Sequence, residues 1–105
     1  MIVTFDDKDL EQLVFTQSNK KYRQYQRDAR FMRGLRRAYT AMCAASGTDA
    51  LRQASFLHYE QLRNSGLSSV RPCNGYPERI LFREYDGGIA ITILELNTTH
   101  YSGKK

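Results

Sequence analysis

Two turn signals in the second half of the chain bound two strand-like segments, and they constrain the fold more than any other feature. Asn74-Gly75 favours a reversal of the chain because both residues tolerate positive φ, and Asp86-Gly87-Gly88 offers a second reversal. Residues 79–85 and 89–96 are rich in β-branched and aromatic side chains, as strands are. Together with a shorter candidate strand at 68–72, the pattern predicts an antiparallel three-stranded hairpin sheet.

The first half of the chain has the patterns of one strand and two helices. Residues 2–5 form a short β-like run, and Asp6 is placed to accept the unpaired N–H groups of a first helix. That helix has one apolar face at helical spacing, formed by Leu10, Leu13 and Val14. A second, longer helix is predicted from about residue 20 to residue 45. Its apolar stripe consists of Met32, Leu35, Tyr39 and Met42.

These elements predict an α+β fold in a single domain covering residues 1–105. A chain of 105 residues has the size of one domain, and no linker or repeat divides it. No apolar run approaches the ~20 residues that a membrane span requires. The N-terminus has no basic segment before its apolar residues, so we expect no signal peptide, no membrane association and a cytoplasmic location.

The cysteines and histidines do not have the spacing of a metal site. Cys43 and Cys73 are too few for a disulfide framework or a cysteine zinc site, and only His58 and His100 accompany them. We therefore expect core thiols, no metal and no other cofactor.

The chain is basic, and most of its basic residues are arginine. The formal charge is +5 and the pI is about 9.4, and the arginine fork suits phosphate. The long helix could present a solvated face, a contact surface for ribosomal or other RNA, a dock for an acidic protein, or a DNA-binding surface. Its basic residues are Lys20, Lys21, Arg23, Arg27, Arg30, Arg33, Arg36 and Arg37.

Strand alternation places several arginines on one face of the predicted sheet. Arg79 and Arg83 share a face with Tyr85, and Arg71 can flank Arg79 from the neighbouring strand. This face is a candidate phosphate-binding surface. The ordinary alternative is two surface ion pairs, with Glu84 or Glu95 as partners.

His58 and His100 are the two histidines, and together they could provide the acid and the base of RNA cleavage. One group would take the proton of the ribose 2′-OH and the other would protonate the leaving 5′-oxygen, since histidine titrates near pH ~6.5. An arginine would stabilise the charge on the pentacoordinate phosphate, so no metal is required. The alternatives are a structural histidine at His58 and an exposed one at His100.

A series of short segments resembles one known family over residues 33–101. In order, they are Leu35-Arg36-Arg37, Ala44-Ala45, Thr48-Asp49-Ala50-Leu51, Leu57-His58, Leu62, Asn74-Gly75, Arg79-Ile80-Leu81-Phe82, an apolar last strand and a terminal histidine. Their order and spacing resemble the HigB branch of the RelE-like toxins, the plasmid maintenance system killer proteins.

The resemblance implies a fold, a function and partners. The fold would be the RelE-like microbial RNase fold, with one strand, two helices and then the antiparallel sheet. The function would be that of a type II toxin–antitoxin toxin, a ribosome-dependent mRNA endoribonuclease that inhibits translation. The partners would be the ribosome with its mRNA and a cognate antitoxin, usually a helix-turn-helix protein.

The resemblance also implies site residues. His58 matches the active-site histidine, Arg79 matches the strand arginine on the scissile phosphate, and His100 is nearest to the C-terminal catalytic histidine. Tyr101 is an alternative functional tail residue. Arg71 and Arg83, from the strand face described above, would assist by contacting phosphate. Gln61 or Leu62 stands where the family usually has a basic residue, and whether Arg63 substitutes for it is left open.

The chain departs from the family pattern on both sides of this site. Tyr59 stands where the family has proline, and Asn97-Thr98-Thr99-His100 replaces the closing Asp-Tyr-His. A second hypothesis is therefore a non-catalytic module of the same fold that binds RNA, the ribosome or a partner protein.

Overall fold

The computed structural model describes residues 1–63 and 65–97, and these residues form an α+β domain, which confirms the predicted fold class. The strands are β1 (Ile2–Phe5), β2 (Glu60–Leu62), β3 (Leu67–Val70), β4 (Arg79–Tyr85) and β5 (Ala90–Asn97). The helices are α1 (Lys8–Thr16), α2 (Arg23–Gln26), α3 (Ala29–Ala44) and α4 (Thr48–Gln53). Two 3-10 turns occupy Ser55–Leu57 and Asp86–Gly88.

The five strands form one mixed sheet in the order β1-β5-β4-β3-β2, so the prediction of a three-stranded antiparallel sheet was wrong. The predicted antiparallel strands are present as β3, β4 and β5. β1 adds to them in parallel, with Ile2 opposite Ala90. β2 was missed because its three residues, Glu-Gln-Leu, are too few to show an alternating pattern.

The first helix forms as predicted, but its cap is Asp7 rather than Asp6. The Asp7 carboxylate accepts the Leu10 N–H at 3.1 Å and the Tyr22 hydroxyl at 2.6 Å. Burial of Tyr22 and its bond to this carboxylate raise the pKa of the phenol. The cap therefore also attaches the segment before α2 to the start of α1.

The single helix predicted over residues 20–45 is wrong, because the chain breaks at Asp28. This residue has extended backbone angles, and its carboxylate accepts the Phe31 N–H at 3.0 Å and the Tyr76 hydroxyl at 2.6 Å. These bonds lower the pKa of Asp28. A capping side chain thus outweighs the continuous helical pattern and starts α3 anew.

The core lies between the helices and one face of the sheet. Ile80 and Phe82 of β4 join it at 2% and 0% exposure, while Arg79 and Leu81 alternate with them and leave the strand on the other face. The buried stripe of α3 covers the core, and its members are Phe31, Met32, Leu35, Ala38 and Met42.

Gly34 is the point where α3 meets the loop after β3. A Cβ atom at this position would lie 2.4 Å from the carbonyl oxygen of Pro72 and 3.1 Å from Cβ of Cys73. Only glycine allows this approach. The loop that carries Arg71 therefore rests directly against α3.

Within residues 1–63 and 65–97, no helix is both long enough and apolar enough to cross a membrane.

Candidate functional site

Arg79 is the centre of the candidate site, and it is buried rather than lying in a surface ion pair. Its residue exposure is 4%. Its Nε donates to Ser69 Oγ at 2.7 Å, and its Nη2 donates to the His58 carbonyl at 2.6 Å. Nη2 also lies 3.7 Å from Oε1 of Glu60. Within the described ranges Nη1 has no hydrogen-bond partner, so its donors are left for another acceptor.

Arg71 lies near enough to Arg79 for the two charges to repel. Burial lowers the pKa of the Arg79 guanidinium, Glu60 acts in the opposite direction, and Arg71 lowers it again. Nε of Arg71 is buried, and no group in the described part of the chain accepts a hydrogen bond from it. Arg71 directly follows β3, the neighbour of β4, rather than lying on that strand as predicted. Beside the two guanidinium groups lies one half-exposed carboxylate, Glu60. The remaining positive charge would favour the binding of an anion.

His58 is brought to this pair by a tight turn. It follows the 3-10 turn Ser55–Leu57 in a left-handed conformation, with φ 50°, which is unusual for a residue other than glycine. The turn is attached on both sides, because the Arg71 N–H donates to the Leu57 carbonyl at 2.6 Å and Arg79 donates to His58. The His58 residue is exposed, so its ring is accessible to a substrate.

Glu60 and Ser69 belong to this site although the sequence did not indicate them. They are register partners in β2 and β3, and both contact Arg79. Ser69 is fully buried, while the Glu60 side chain is 48% exposed. The position of Glu60 two residues after His58 was a signal, but the pairing of β2 with β3 was needed to interpret it.

Arg63 and Arg83 form a separate group at the other end of the β2–β3 hairpin. Arg63 lines a cleft of about 450 Å³ that also includes Glu84. Arg83 is exposed, and its Nη1 is 3.6 Å from where a Cβ of Gly66 would be. The structure therefore brings Arg71, Arg79 and the backbone of His58 together. Arg63 directly follows β2, and Arg83 lies in β4 four residues after Arg79.

The other two predicted site residues, His100 and Tyr101, lie outside the described residues. Their proposed part in proton transfer stays a prediction.

The described residues contain no group of three or more histidine, cysteine or carboxylate side chains able to hold a metal ion. Cys73 is buried, but Cys43 is exposed, so the prediction of two core thiols was wrong for Cys43. Its position on α3 faces away from the buried stripe.

Comparisons with protein-family models, with curated proteins and with solved structures found no match to this chain.

Proposed function

We propose that this protein is a metal-independent endoribonuclease with the RelE-like fold, and that Arg79 holds the scissile phosphate. The observation that carries the proposal is the pair of Arg71 and Arg79 beside an exposed histidine. One guanidinium is fixed by Ser69 and His58, and the other has a buried, unpartnered Nε. Two adjacent cations with unused donors favour an anion with several acceptor oxygens, and a phosphodiester has this chemistry.

The proposed reaction is attack by the ribose 2′-OH on the adjacent phosphorus. The P–O5′ bond breaks as the new P–O2′ bond forms, which leaves a 2′,3′-cyclic phosphate and a 5′-OH. One group accepts the 2′-OH proton and a second protonates the 5′-oxygen. His58 and Glu60 are the titratable side chains whose residues contact Arg79. His100 or Tyr101 is the further candidate for this proton transfer.

The arginines would contribute electrostatically to this reaction. Charge develops on the phosphoryl oxygens in the transition state, and fixed donors already aimed at that position stabilise it without reorganisation. Arg79 is such a donor because its own partners restrict it. Arg63 and Arg83 would then contact phosphates farther along the strand.

The biological setting follows from the family resemblance. In that setting the protein is a type II toxin that cuts mRNA on cytoplasmic ribosomes and stops translation. A cognate antitoxin, expected to be of the helix-turn-helix type, would hold it inactive.

The test is to map new mRNA 5′ ends in a reconstituted translation reaction, with and without ribosomes. We expect the wild type to cut only when ribosomes are present. Arg79→Lys keeps the charge but removes the fork, and should reduce cutting at least tenfold. His58→Ala should do the same, because it removes the exposed ring that is proposed to transfer a proton.

The matched control is Arg23→Gln, an exposed arginine on α2, which should cut like the wild type. Cutting that persists in both Arg79→Lys and His58→Ala would refute the assignment of the site. Thermal unfolding of each variant identifies any loss that comes from misfolding.

One observation favours a second candidate, a non-catalytic module that binds RNA, the ribosome or a partner protein. Arg79 already connects β4 to Ser69 of β3, to the turn at His58 and to Glu60 of β2, as a purely structural arginine would. A folded protein that binds ribosomes and yields no new 5′ ends would establish this alternative.

A further inference from the structure

The exposed side of α3 carries four arginines that form no ion pair with any described residue. We call this set the arginine ridge, and its members are Arg30, Arg33, Arg36 and Arg37. The ion pairs of the described chain all lie elsewhere, on α1, on α4, at Asp7 and at Glu60. Asp28, at the start of α3, already accepts two hydrogen bonds, and of the four arginines Arg30 interacts with its charge. The ridge therefore has a concentrated positive charge that the fold does not neutralise.

Two clefts follow the two sides of the ridge. One, of about 380 Å³, lies between α3 and the loop Pro72–Asn74. The other, of about 570 Å³, lies between α3 and the polar side chains Gln17 and Gln26. Arg33 and Arg37 line both clefts. From Arg30 to Arg37 the helix rises about 10 Å, so the ridge can contact several charges in succession.

The surroundings of the ridge suit a nucleic-acid backbone better than a protein. Stable protein interfaces have an apolar centre with aromatic anchors. Here two nearby rings already have an arginine over them, because Arg37 lies 4.2 Å from the Phe56 ring and Arg30 lies 5.4 Å from the Tyr76 ring. Nucleic-acid interfaces are more polar and more positively charged.

The same two rings argue against single-stranded nucleic acid as the ligand. Proteins bind unpaired strands by stacking bases on free aromatic faces, and although Phe56 is 40% exposed, both it and Tyr76 already have a guanidinium over the ring. Double-stranded RNA is recognised instead through its shape, its phosphates and its 2′-hydroxyls. Arginine forks, with the amides of Gln17, Gln26 and Asn74 beside the clefts, match those groups.

We propose that the arginine ridge binds the phosphate backbone of double-stranded RNA. The ridge and Arg79 lie on opposite sides of the sheet, because α3 packs on the face that Ile80 and Phe82 line, although the ridge adjoins the segments that carry His58 and Arg71. The choice of RNA over DNA rests on the proposed function, whereas the attraction to a duplex backbone does not.

The experiment measures binding of a labelled RNA hairpin with a fully paired stem by fluorescence anisotropy, over a series of salt concentrations. The test variant is Arg33→Gln/Arg36→Gln, two exposed side chains on the ridge. We expect at least tenfold weaker binding at low salt. The slope of log K against log salt should become shallower by about 1–2, since each phosphate that the protein neutralises contributes about 0.9 to it.

The matched control is Lys8→Gln/Arg52→Gln, which removes the same charge from α1 and α4, where each residue is paired with a neighbouring carboxylate. An equal weakening in this control would overturn the proposal, because it would show a general effect of net charge. Tighter binding of duplex DNA at matched salt would overturn the choice of RNA. Displacement of the hairpin by polyglutamate at equal charge would point to an acidic protein instead.

Arg79→Lys separates this proposal from the ribonuclease proposal. It should reduce mRNA cutting at least tenfold and leave hairpin binding as in the wild type. Loss of hairpin binding in Arg79→Lys would show that the two surfaces are one site, and would contradict the ridge as an independent binding surface.

Discussion

Arg79 and the arginine ridge place the same residue type in opposite environments. Arg79 is 4% exposed and donates to Ser69 and to the His58 carbonyl. Arg33 and Arg36 are exposed, and no described group binds them. A buried guanidinium loses its hydration, so the fold must supply partners. An exposed guanidinium keeps its hydration and needs none.

The two environments suit two different roles, a cation held in one position and cations that act through their charge. Arg79 has its position restricted by three elements, as a group must be if it stabilises one transition state. Arg33 and Arg36 of the ridge can adjust, whereas Arg30 donates to the Asn74 carbonyl and Arg37 lies over Phe56, and such a surface suits a ligand recognised by charge and spacing. Substituting Arg79 should therefore lower the stability of the fold, whereas substituting the ridge arginines should leave stability almost unchanged.

Arg79→Met should give the largest loss of stability. It leaves the His58 carbonyl and Ser69 without their donor and removes the partner of Glu60. Because Glu60 is half exposed, we expect the free energy of unfolding to fall by about 3 kcal/mol, at the low end for a broken buried pair. Urea unfolding at neutral pH measures it. A loss below about 0.5 kcal/mol, the size of an ordinary surface change, would erase the contrast with the ridge.

Gly34→Ala tests the contact between α3 and the loop that carries Arg71. In a helix this change normally stabilises by up to about 1 kcal/mol. Here the new Cβ would lie 2.4 Å from the Pro72 carbonyl oxygen, so we expect a loss of about 2 kcal/mol from overpacking. Thr40→Ala, at an exposed position of α3, is the control and should be neutral or stabilising. An equal change in the free energy of unfolding in the two variants would show that the loop shifts at little cost to make room for the new Cβ.

Tyr25→Phe asks whether buried polar pairs other than Arg79 also stabilise the fold. Burial, and then the hydrogen bond to Glu78, raise the pKa of Tyr25 to about 12. The unfolded chain ionises this phenol near pH ~10. The contribution is therefore complete below pH ~10 and is lost as the pH rises towards 12.

The variant should lose about 1 kcal/mol at pH 8, the usual worth of one hydrogen bond. Between pH 10 and about 12 its stability should then fall less steeply than that of the wild type, measured by urea unfolding at each pH. Parallel curves for the two proteins would rule out Tyr25 as a source of the alkaline loss.

Arg33→Gln/Arg36→Gln should have the smallest effect on stability, within about 0.5 kcal/mol. Removing two unpaired cations from one helix face relieves repulsion, so any change should be a gain at low salt that disappears near 1 M salt, where screening is short-ranged. Thermal unfolding at the two salt concentrations measures it. A clear loss would mean that the ridge has a structural role.

Local patterns were enough to predict some elements but not their partners. β4 has the predicted bounds, because its residues and its two flanking turns act locally. The break at Asp28 was missed because apolar spacing continues across it. Glu60 and Ser69 lie beside Arg79 because of the register in which β2, β3 and β4 pair. That register depends on residues far apart in the chain, so local patterns did not reveal it. The chemistry of Arg79 was predictable, but the partners that restrict its position were not.

The parallel pairing of β1 with β5 makes the fold dependent on the completeness of the chain. Thr4 and Thr92 bond across 88 residues, and β1 has no other neighbour in the sheet order. Contacts of such long sequence separation form late, since a large loop must close first. During synthesis, the first strand made must wait for the last before it can pair. A nascent chain that ends before residue 90 would thus lack β5, the strand that closes the core and pairs with β4 opposite Arg79.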